Sequence, residues 1–239
     1  MLSESPSLHA ICPFGGVETL YTFFTQGTYV RKIHASSFIL MWLVLLLSLL
    51  FGPVFCGWVC PLGTVQEFIG KIGKRLLKKR YNHVIPTKID TYLRYARYLV
   101  LAIVLYQTAM VGTLIFADYD PYFALFNIWS DKVTWTAFAI LGLTLAGSLV
   151  VERPWCKYVC PYGAVLGIFN TFRLVKLSRD PNLCVDCGRC DRECPMNLTP
   201  SDDTNVINHQ CIVCLQCTSE VECPIKDALS LKIRPEVVK

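Results

Sequence analysis

The sequence predicts an α-helical membrane protein with about three transmembrane helices, further interfacial helices and a small α+β domain at the C-terminus. Three observations support this. The first two thirds of the chain contain three long uncharged stretches, 53% of the 239 residues are hydrophobic and only 17% are charged, and eight cysteines fall near the C-terminus. Such a composition suits a membrane protein better than a soluble one.

The uncharged stretches have the length of membrane-crossing helices. About twenty helical residues cross a hydrocarbon layer of roughly 30 Å. We therefore expect spans at about 36–55, 98–117 and 133–151. The alternative is a buried helix of a soluble core, and three such stretches flanked by charged or aromatic residues favour the membrane.

The basic residues predict the orientation. Residues 57–97 carry nine Lys or Arg, whereas residues 118–132 carry one. Positive loops stay in the cytoplasm, so we expect the cytoplasmic membrane of a prokaryote, with the N-terminus outside and the C-terminal domain in the cytoplasm. Because the cations flank apolar stretches, they indicate the lipid bilayer as a partner and not nucleic acid.

The C-terminal cysteines form two copies of C-x2-C-x2-C followed by a Cys-Pro pair. In this arrangement the fourth cysteine of each copy ligates the cluster of the other copy. The predicted ligands are Cys184, Cys187, Cys190 and Cys223 for one [4Fe-4S] cluster and Cys211, Cys214, Cys217 and Cys194 for a second. Zinc ribbons and disulfide frameworks are the alternatives, but zinc sites normally use paired rather than triple cysteines. The segment at about 180–232 resembles the bacterial two-cluster ferredoxins.

A second cysteine motif, C-x3-C-P, occurs twice. CGWVCPLGTV begins at Cys56 and CKYVCPYGAV begins at Cys156, and six of ten positions are identical. Each copy follows an uncharged stretch, and its proline suits the first turn of a helix. We expect Cys56, Cys60, Cys156 and Cys160 to hold a third iron–sulfur cluster near the membrane surface. Buried cysteines beside helix-breaking prolines are the alternative.

Cys12 is the one cysteine of the thirteen that falls outside the three sets of four. It begins CPFGGV, a partial copy of the C-x3-C-P motif. It is a vestige, a ligand of a cluster shared with another subunit, or a sign that the first span is oriented the other way. The chain thus divides into an N-terminal segment at 1–34 with the composition of an interfacial helix, a membrane domain at 35–179 and a two-cluster domain at 180–239.

Taken together, these motifs resemble the membrane polyferredoxins of periplasmic nitrate reductase and nitrous oxide reductase systems. The resemblance implies an integral membrane electron-transfer subunit of a multisubunit redox complex, with other redox subunits and a soluble ferredoxin or quinone as partners. Electrons would pass between the ferredoxin domain and the C-x3-C-P cluster, then to a quinone or a membrane partner. The alternative is a maturation reductase that delivers electrons to a metal or thiol centre of a client oxidoreductase. No residue constellation for a catalytic subunit is evident.

Overall fold

A computed structural model of the chain describes residues 35–111, 116, 119–128, 133–202, 204–206 and 208–233. The N-terminal segment at 1–34, including the Cys-Pro-Phe-Gly-Gly motif and Cys12, lies outside the described residues. The predicted boundaries of the three segments therefore stay a prediction.

Helices dominate the described part of the chain. They are α1 (Ala35–Phe51), α2 (Pro61–Leu77), α3 (Thr87–Leu93), α4 (Ala96–Val111), α5 (Pro121–Phe126), α6 (Trp135–Gly147), α7 (Pro154–Tyr158), α8 (Pro161–Thr171) and α9 (Arg189–Arg192). A π-helical turn at Phe55–Val59 and short 3-10 turns at Lys78–Arg80 and Gln216–Thr218 complete the helical elements.

None of the described helices is long and apolar enough to cross a membrane. This contradicts the predicted transmembrane fold and the predicted multi-pass localisation. The first stretch illustrates the physical reason: α1 ends at Phe51 because Gly52 adopts a left-handed φ of 96° and Pro53 has no N–H to continue the helix. Similarly, α6 has 13 residues where a span at 133–151 was expected.

Two apolar clusters hold the helices together. The first joins α1, α4 and α8 through buried residues such as Met41, Val104 and Leu166. The second joins α2, α5, α6 and α7 around Leu62 and Trp155. Since α2 and α8 each begin directly after a Cys-Pro motif, these clusters fix the positions of the C-x3-C-P cysteines.

A three-stranded antiparallel sheet follows α8. Its strands are β1 (Val175–Arg179), β2 (Asn205–Val206) and β3 (Leu229–Ile233), in the order β2-β1-β3. Leu177 pairs with Val206 on one side and Leu231 on the other. The C-terminal cysteine motifs lie in the connections between these strands, so the sheet holds both copies in one unit.

Several cations are buried inside the protein, and two of them, Arg94 and Arg97, belong to the basic stretch at 57–97 from which the membrane orientation was predicted. Their exposed fractions are 6% for Arg94, 2% for Arg97, 3% for Arg153, 0% for Lys157 and 2% for Arg173. A buried cation is stable only with hydrogen bonds or an opposite charge beside it. These residues therefore indicate internal polar networks. The networks contact the segments that carry the cysteines.

Candidate iron–sulfur centres

The outer cavity is the space enclosed by four predicted ligands from both C-terminal motifs: Cys184, Cys187, Cys190 and Cys223. Asp186 and Gly188 have left-handed backbones that turn the chain around this space. Cys187 is exposed to solvent, whereas Cys190 is buried at the start of α9. This cavity therefore has one side open to a partner.

The inner cavity is lined by the other four predicted ligands, Cys194, Cys211, Cys214 and Cys217. Met196, Leu198 and Ile212 form its apolar support. Burial raises the pKa of Cys194 to about 12 and that of Cys214 to about 11. A buried thiolate needs a bound cation or metal to be stable.

Both cavities suit a [4Fe-4S] cubane because each presents four cysteine sulfurs, one per iron, around a single space. In each cavity three cysteines come from one motif and the fourth comes from the Cys-Pro pair of the other. Within the described residues, no three His, Cys, Asp or Glu side chains are arranged to share a single metal ion.

The C-x3-C-P cysteines also come together, in what we call the thiol cluster: Cys56, Cys60, Cys156 and Cys160. The two copies of the motif fold alike. Cys60 and Cys160 are the N-caps of α2 and α8, with φ and ψ of −64° and 112° in the first and −61° and 112° in the second. Each also donates its N–H to the carbonyl five residues earlier, at 2.8 and 2.9 Å. The internal repeat is thus a repeat of structure.

Burial dominates the electrostatics of the thiol cluster. It raises the pKa of all four thiols, and that of Cys60 reaches about 12. Repulsion from the Cys156 thiolate raises the pKa of Cys60 further, so the thiols are close enough to influence one another. Several donors favour the charged forms. The backbone N–H groups of Leu62 and Gly63 lower the pKa of Cys60. The Gly163 N–H lies 3.4 Å from Cys160 Sγ, and Gln66 Nε2 lies 3.7 Å from Cys156 Sγ. The pKa values stay raised despite these donors, so four buried thiols with mutual repulsion form a site that a metal cluster would stabilise.

The thiol cluster is in direct contact with the inner cavity at a place that we call the junction. Cys56 packs against the same buried residues as Cys194, Cys211 and Cys214. A Cβ on Gly57 would lie only 2.5 Å from the carbonyl oxygen of Ile212, so the two segments touch through the glycine. Little protein therefore separates the two groups of cysteines.

Arg153 fixes the junction from the side of the thiol cluster. Its Nη1 donates to the Cys56 carbonyl at 2.6 Å, and its Nη2 forms a 2.6 Å ion pair with Glu67. The positive charge lowers the pKa of Cys56 against the larger effect of burial, and it acts in the same direction on Cys214. One buried guanidinium thus acts on cysteines of both groups.

Helix α8 forms the second link between the two groups. It begins at Cys160 and ends beside the inner cavity, where Asn170 donates to the carbonyls of Asn208 at 2.8 Å and Cys211 at 3.0 Å. Eleven residues make a helix about 16 Å long.

A buried ionic network around Asp90 contacts segments that carry both groups of cysteines. Asp90 accepts from Arg94, Tyr158 and Lys157, and the Lys157 Nζ lies 2.9 Å from its carboxylate. Burial alone would raise the pKa of Asp90, but these hydrogen bonds outweigh it and lower the pKa below its ordinary value. Arg94 also donates to the Asn197 carbonyl at 3.0 Å, three residues beyond Cys194.

The sequence analysis missed Arg153, Lys157, Asn170 and Asp90 as supporting residues. Arg153 and Lys157 stand within three residues of Cys156, and this proximity was the available signal. Asp90 and Asn170 are distant from every cysteine in sequence, so only the fold reveals their role.

Comparison with known proteins identifies the family. The model of the 4Fe-4S binding domain family matches at residues 33–80 and 133–179, which contain the two C-x3-C-P motifs. The protein MJ0750 of Methanocaldococcus jannaschii is 31% identical over 220 residues, covering 92% of this chain and 85% of that protein. The chain belongs to the polyferredoxin family.

This polyferredoxin matches only about three fifths of the length of two further relatives. The Escherichia coli protein YccM is 29% identical over 232 residues, which are 93% of this chain and 62% of YccM. The ferredoxin-type protein NapH of Haemophilus influenzae is 27% identical over 184 residues, which are 73% of this chain and 61% of NapH. No solved structure matches the chain.

The family settles the coarse function. This polyferredoxin is an iron–sulfur electron-transfer protein and holds two [4Fe-4S] clusters. The two matched ranges exclude the eight C-terminal cysteines.

Proposed function

We propose that this polyferredoxin carries single electrons between a redox partner at the outer cavity and the thiol cluster, by way of the inner cavity. One observation carries the proposal: shared apolar contacts connect the three groups of cysteines. Cys190 of the outer cavity and Cys217 of the inner cavity belong to one apolar cluster, and Cys56 of the thiol cluster packs against the residues that support Cys194, Cys211 and Cys214.

The proposed ligands follow this grouping. The outer cavity holds the first [4Fe-4S] cluster, the inner cavity the second and the thiol cluster a third. Four cysteines and one enclosed space support each of the first two assignments. Mutual repulsion among four buried thiols supports the third, because bound iron would remove that repulsion.

A bound [4Fe-4S] cubane accepts one electron and returns it without forming or breaking substrate bonds. The chain's own residues provide the rest. Exposed Cys187 lets a partner approach the outer cavity, and the apolar wall around Ile212 keeps water from the inner one. Gly57 permits close contact at the junction, and the Arg153 charge stabilises the negatively charged centres on both sides of it.

The partners at the two ends belong to the same proposal. A soluble ferredoxin suits the outer cavity, where a single electron could enter through a small exposed face. A quinone or a further redox subunit suits the far side of the thiol cluster. Each transfer oxidises the donor at the outer cavity by one electron. When that electron leaves the thiol cluster, it reduces the acceptor by one electron.

Iron and sulfide analysis combined with electron paramagnetic resonance (EPR) tests the assignment on protein purified without oxygen. Three cubanes correspond to about twelve irons per chain. Each of Cys187→Ser, Cys217→Ser and Cys156→Ser should remove a different EPR signal and lower the iron content by up to about four. Cys12→Ala serves as the comparison, since Cys12 is outside the three groups. About eight irons, unchanged in Cys156→Ser, would disprove the third cluster.

A further inference from the structure

Arg173 lies in the wall of the inner cavity. It follows α8, its side chain is 2% exposed, and it is the one charged residue among the described residues that line this cavity. Its Nη2 donates to the Val206 carbonyl, which fixes the guanidinium in place. An arginine keeps its positive charge at all ordinary pH values.

Two of its nitrogens lack a partner. Within the described residues, neither Nε nor Nη1 of Arg173 has a hydrogen-bond acceptor, although both are buried. Leaving charged donors buried and unpaired is strongly unfavourable, so such a group in a native structure needs an explanation. The four cysteines of the same cavity provide one, because a bound cluster supplies negative sulfur atoms.

The outer cavity has a different electrostatic environment. Its charged lining residues are Asp186 and Glu222, both acidic. Arg179 approaches Cys184, but it is ion-paired with Asp186. An uncompensated cation therefore distinguishes the inner cavity from the outer one.

We propose that Arg173 is a positioning residue that raises the reduction potential of the inner cluster. The inference rests on the proposed function, since it requires a [4Fe-4S] cluster at Cys194, Cys211, Cys214 and Cys217. Reduction adds one electron, and burial in an apolar wall opposes that added negative charge. The guanidinium offsets this effect with its charge and its N–H donors, both of which set cluster potentials. It keeps its proton throughout, so only the electron moves.

A redox titration followed by EPR tests the inference, with the inner signal assigned through Cys217→Ser. Arg173→Met removes the charge and donors but keeps an apolar stem. We expect its ratio of reduced to oxidised inner cluster at fixed potential to fall at least about tenfold, which is about 59 mV for one electron. Arg173→Lys keeps the charge and should shift the ratio less.

Arg97→Met is the matched control. Arg97 is equally buried and also donates to a backbone carbonyl of the cysteine segment, that of His209 at 3.1 Å. It is absent from the wall of the inner cavity. Arg97→Met should change the ratio of reduced to oxidised inner cluster less than Arg173→Met does. An equal change in both variants would overturn the inference.

A second measurement does not depend on the Arg173→Met variant. In protein labelled with ¹⁵N-arginine, electron-nuclear double resonance on the reduced inner cluster should detect one guanidinium coupling, and Arg173→Lys should remove it. A wild-type spectrum without that coupling would overturn the inference even if Arg173→Met failed to fold. If Cys217→Ser kept every cluster signal of the wild type, the proposed function would be disproved instead.

Discussion

Trp58 Nε1 donates a hydrogen bond to the carbonyl of Val213 at 3.0 Å, across 155 residues of sequence. Trp58 belongs to the first C-x3-C-P motif and Val213 to the second ferredoxin-like motif. The bond therefore joins two groups of cysteines that share no sequence motif. Beside it, Gly57 lies against Ile212, so the junction consists of one side-chain bond and one close backbone contact.

Replacing Gly57 by alanine should separate the two sides of the junction. The new Cβ would lie 2.5 Å from the Ile212 carbonyl, and backbone atoms cannot move aside cheaply. We expect a loss of about 1–3 kcal/mol in the free energy of unfolding. Electron transfer between the inner cluster and the thiol cluster should slow, because its rate falls with separation. Urea unfolding and freeze-quench EPR measure the two effects.

Gly142→Ala is the control for this change. Gly142 lies inside α6 and a Cβ there has nothing within 4 Å. Since alanine favours a helix over glycine by about 1 kcal/mol, the control should be slightly stabilised and should transfer electrons at the wild-type rate. If Gly57→Ala behaved in the same way, the proposed route through the junction would be refuted.

Replacing Asp90 by asparagine should destabilise the protein strongly. The carboxylate is 0% exposed and is paired with Lys157 and Arg94. Its removal leaves two buried cations unpaired, which costs about 3–5 kcal/mol. Thermal and urea unfolding provide the measurement. Glu220→Gln breaks the exposed Glu220–Lys226 pair and should have no measurable effect.

Asp90 also predicts sensitivity to acid. Its pKa is lowered in the folded protein by Arg94, Tyr158 and Lys157 against the opposing effect of burial. The stabilisation from this carboxylate is thus complete above the ordinary pKa of about 4 and is lost as the pH falls below it. Wild-type stability should fall across this acid range more steeply than that of Asp90→Asn. Equal slopes would show that Asp90 is not the responsible group.

Asp120 predicts the opposite dependence at neutral pH. Burial raises its pKa to about 7, partly offset by the Tyr122 N–H that caps α5. The unfolded chain releases this proton near pH 4. The free energy of unfolding therefore falls as the pH rises from about 4 to 7. Asp120→Asn keeps a capping side chain and should flatten this part of the curve. Urea unfolding between pH 5 and pH 8 tests this, and an unchanged slope would contradict it.

Asn82 should prove necessary for the inner cluster. It donates to Asn197 Oδ1 at 2.6 Å and to the Pro195 carbonyl, next to Cys194, and its own φ is 60°. Asn82→Ala loses these bonds and strains the left-handed backbone, for a total of about 2–4 kcal/mol. Asn82→Gly removes the strain alone, so it should recover about 1 kcal/mol. Thermal unfolding and retention of the inner EPR signal provide the readouts.

Cysteine grouping and helix length depend on the sequence in different ways. Cysteine spacing is local chemistry, so pairing Cys194 with Cys211, Cys214 and Cys217 required no knowledge of the fold. The same sets line the inner and outer cavities. Helix length depends on where the backbone turns. Within the uncharged run at 36–55, hydropathy predicted one continuous span although Gly52 and Pro53 end the helix.

The cations show a second limit of the sequence. Counting the Lys and Arg of residues 57–97 as loop charges predicted a membrane orientation, but Arg94 and Arg97 of that stretch are buried and donate to backbone carbonyls of the C-terminal cysteine segment. Whether a cation faces solvent or an internal anion depends on tertiary contacts such as the pairs with Glu67 and Asp90. A cation within a few residues of a cysteine motif is better interpreted as part of that site.

Helix α8 sets the spacing between the thiol cluster and the inner cavity, with Cys160 at one end and Asn170 at the other. Each residue of a helix turns the chain by about 100° and advances it 1.5 Å. One inserted residue in α8 would therefore rotate Asn170 and Arg173 away from the cavity as well as lengthen the path. The distance between these centres can change only in steps of whole turns, three or four residues at a time. Among relatives, the length between the second C-x3-C-P motif and the first strand should accordingly be nearly invariant or differ by such steps.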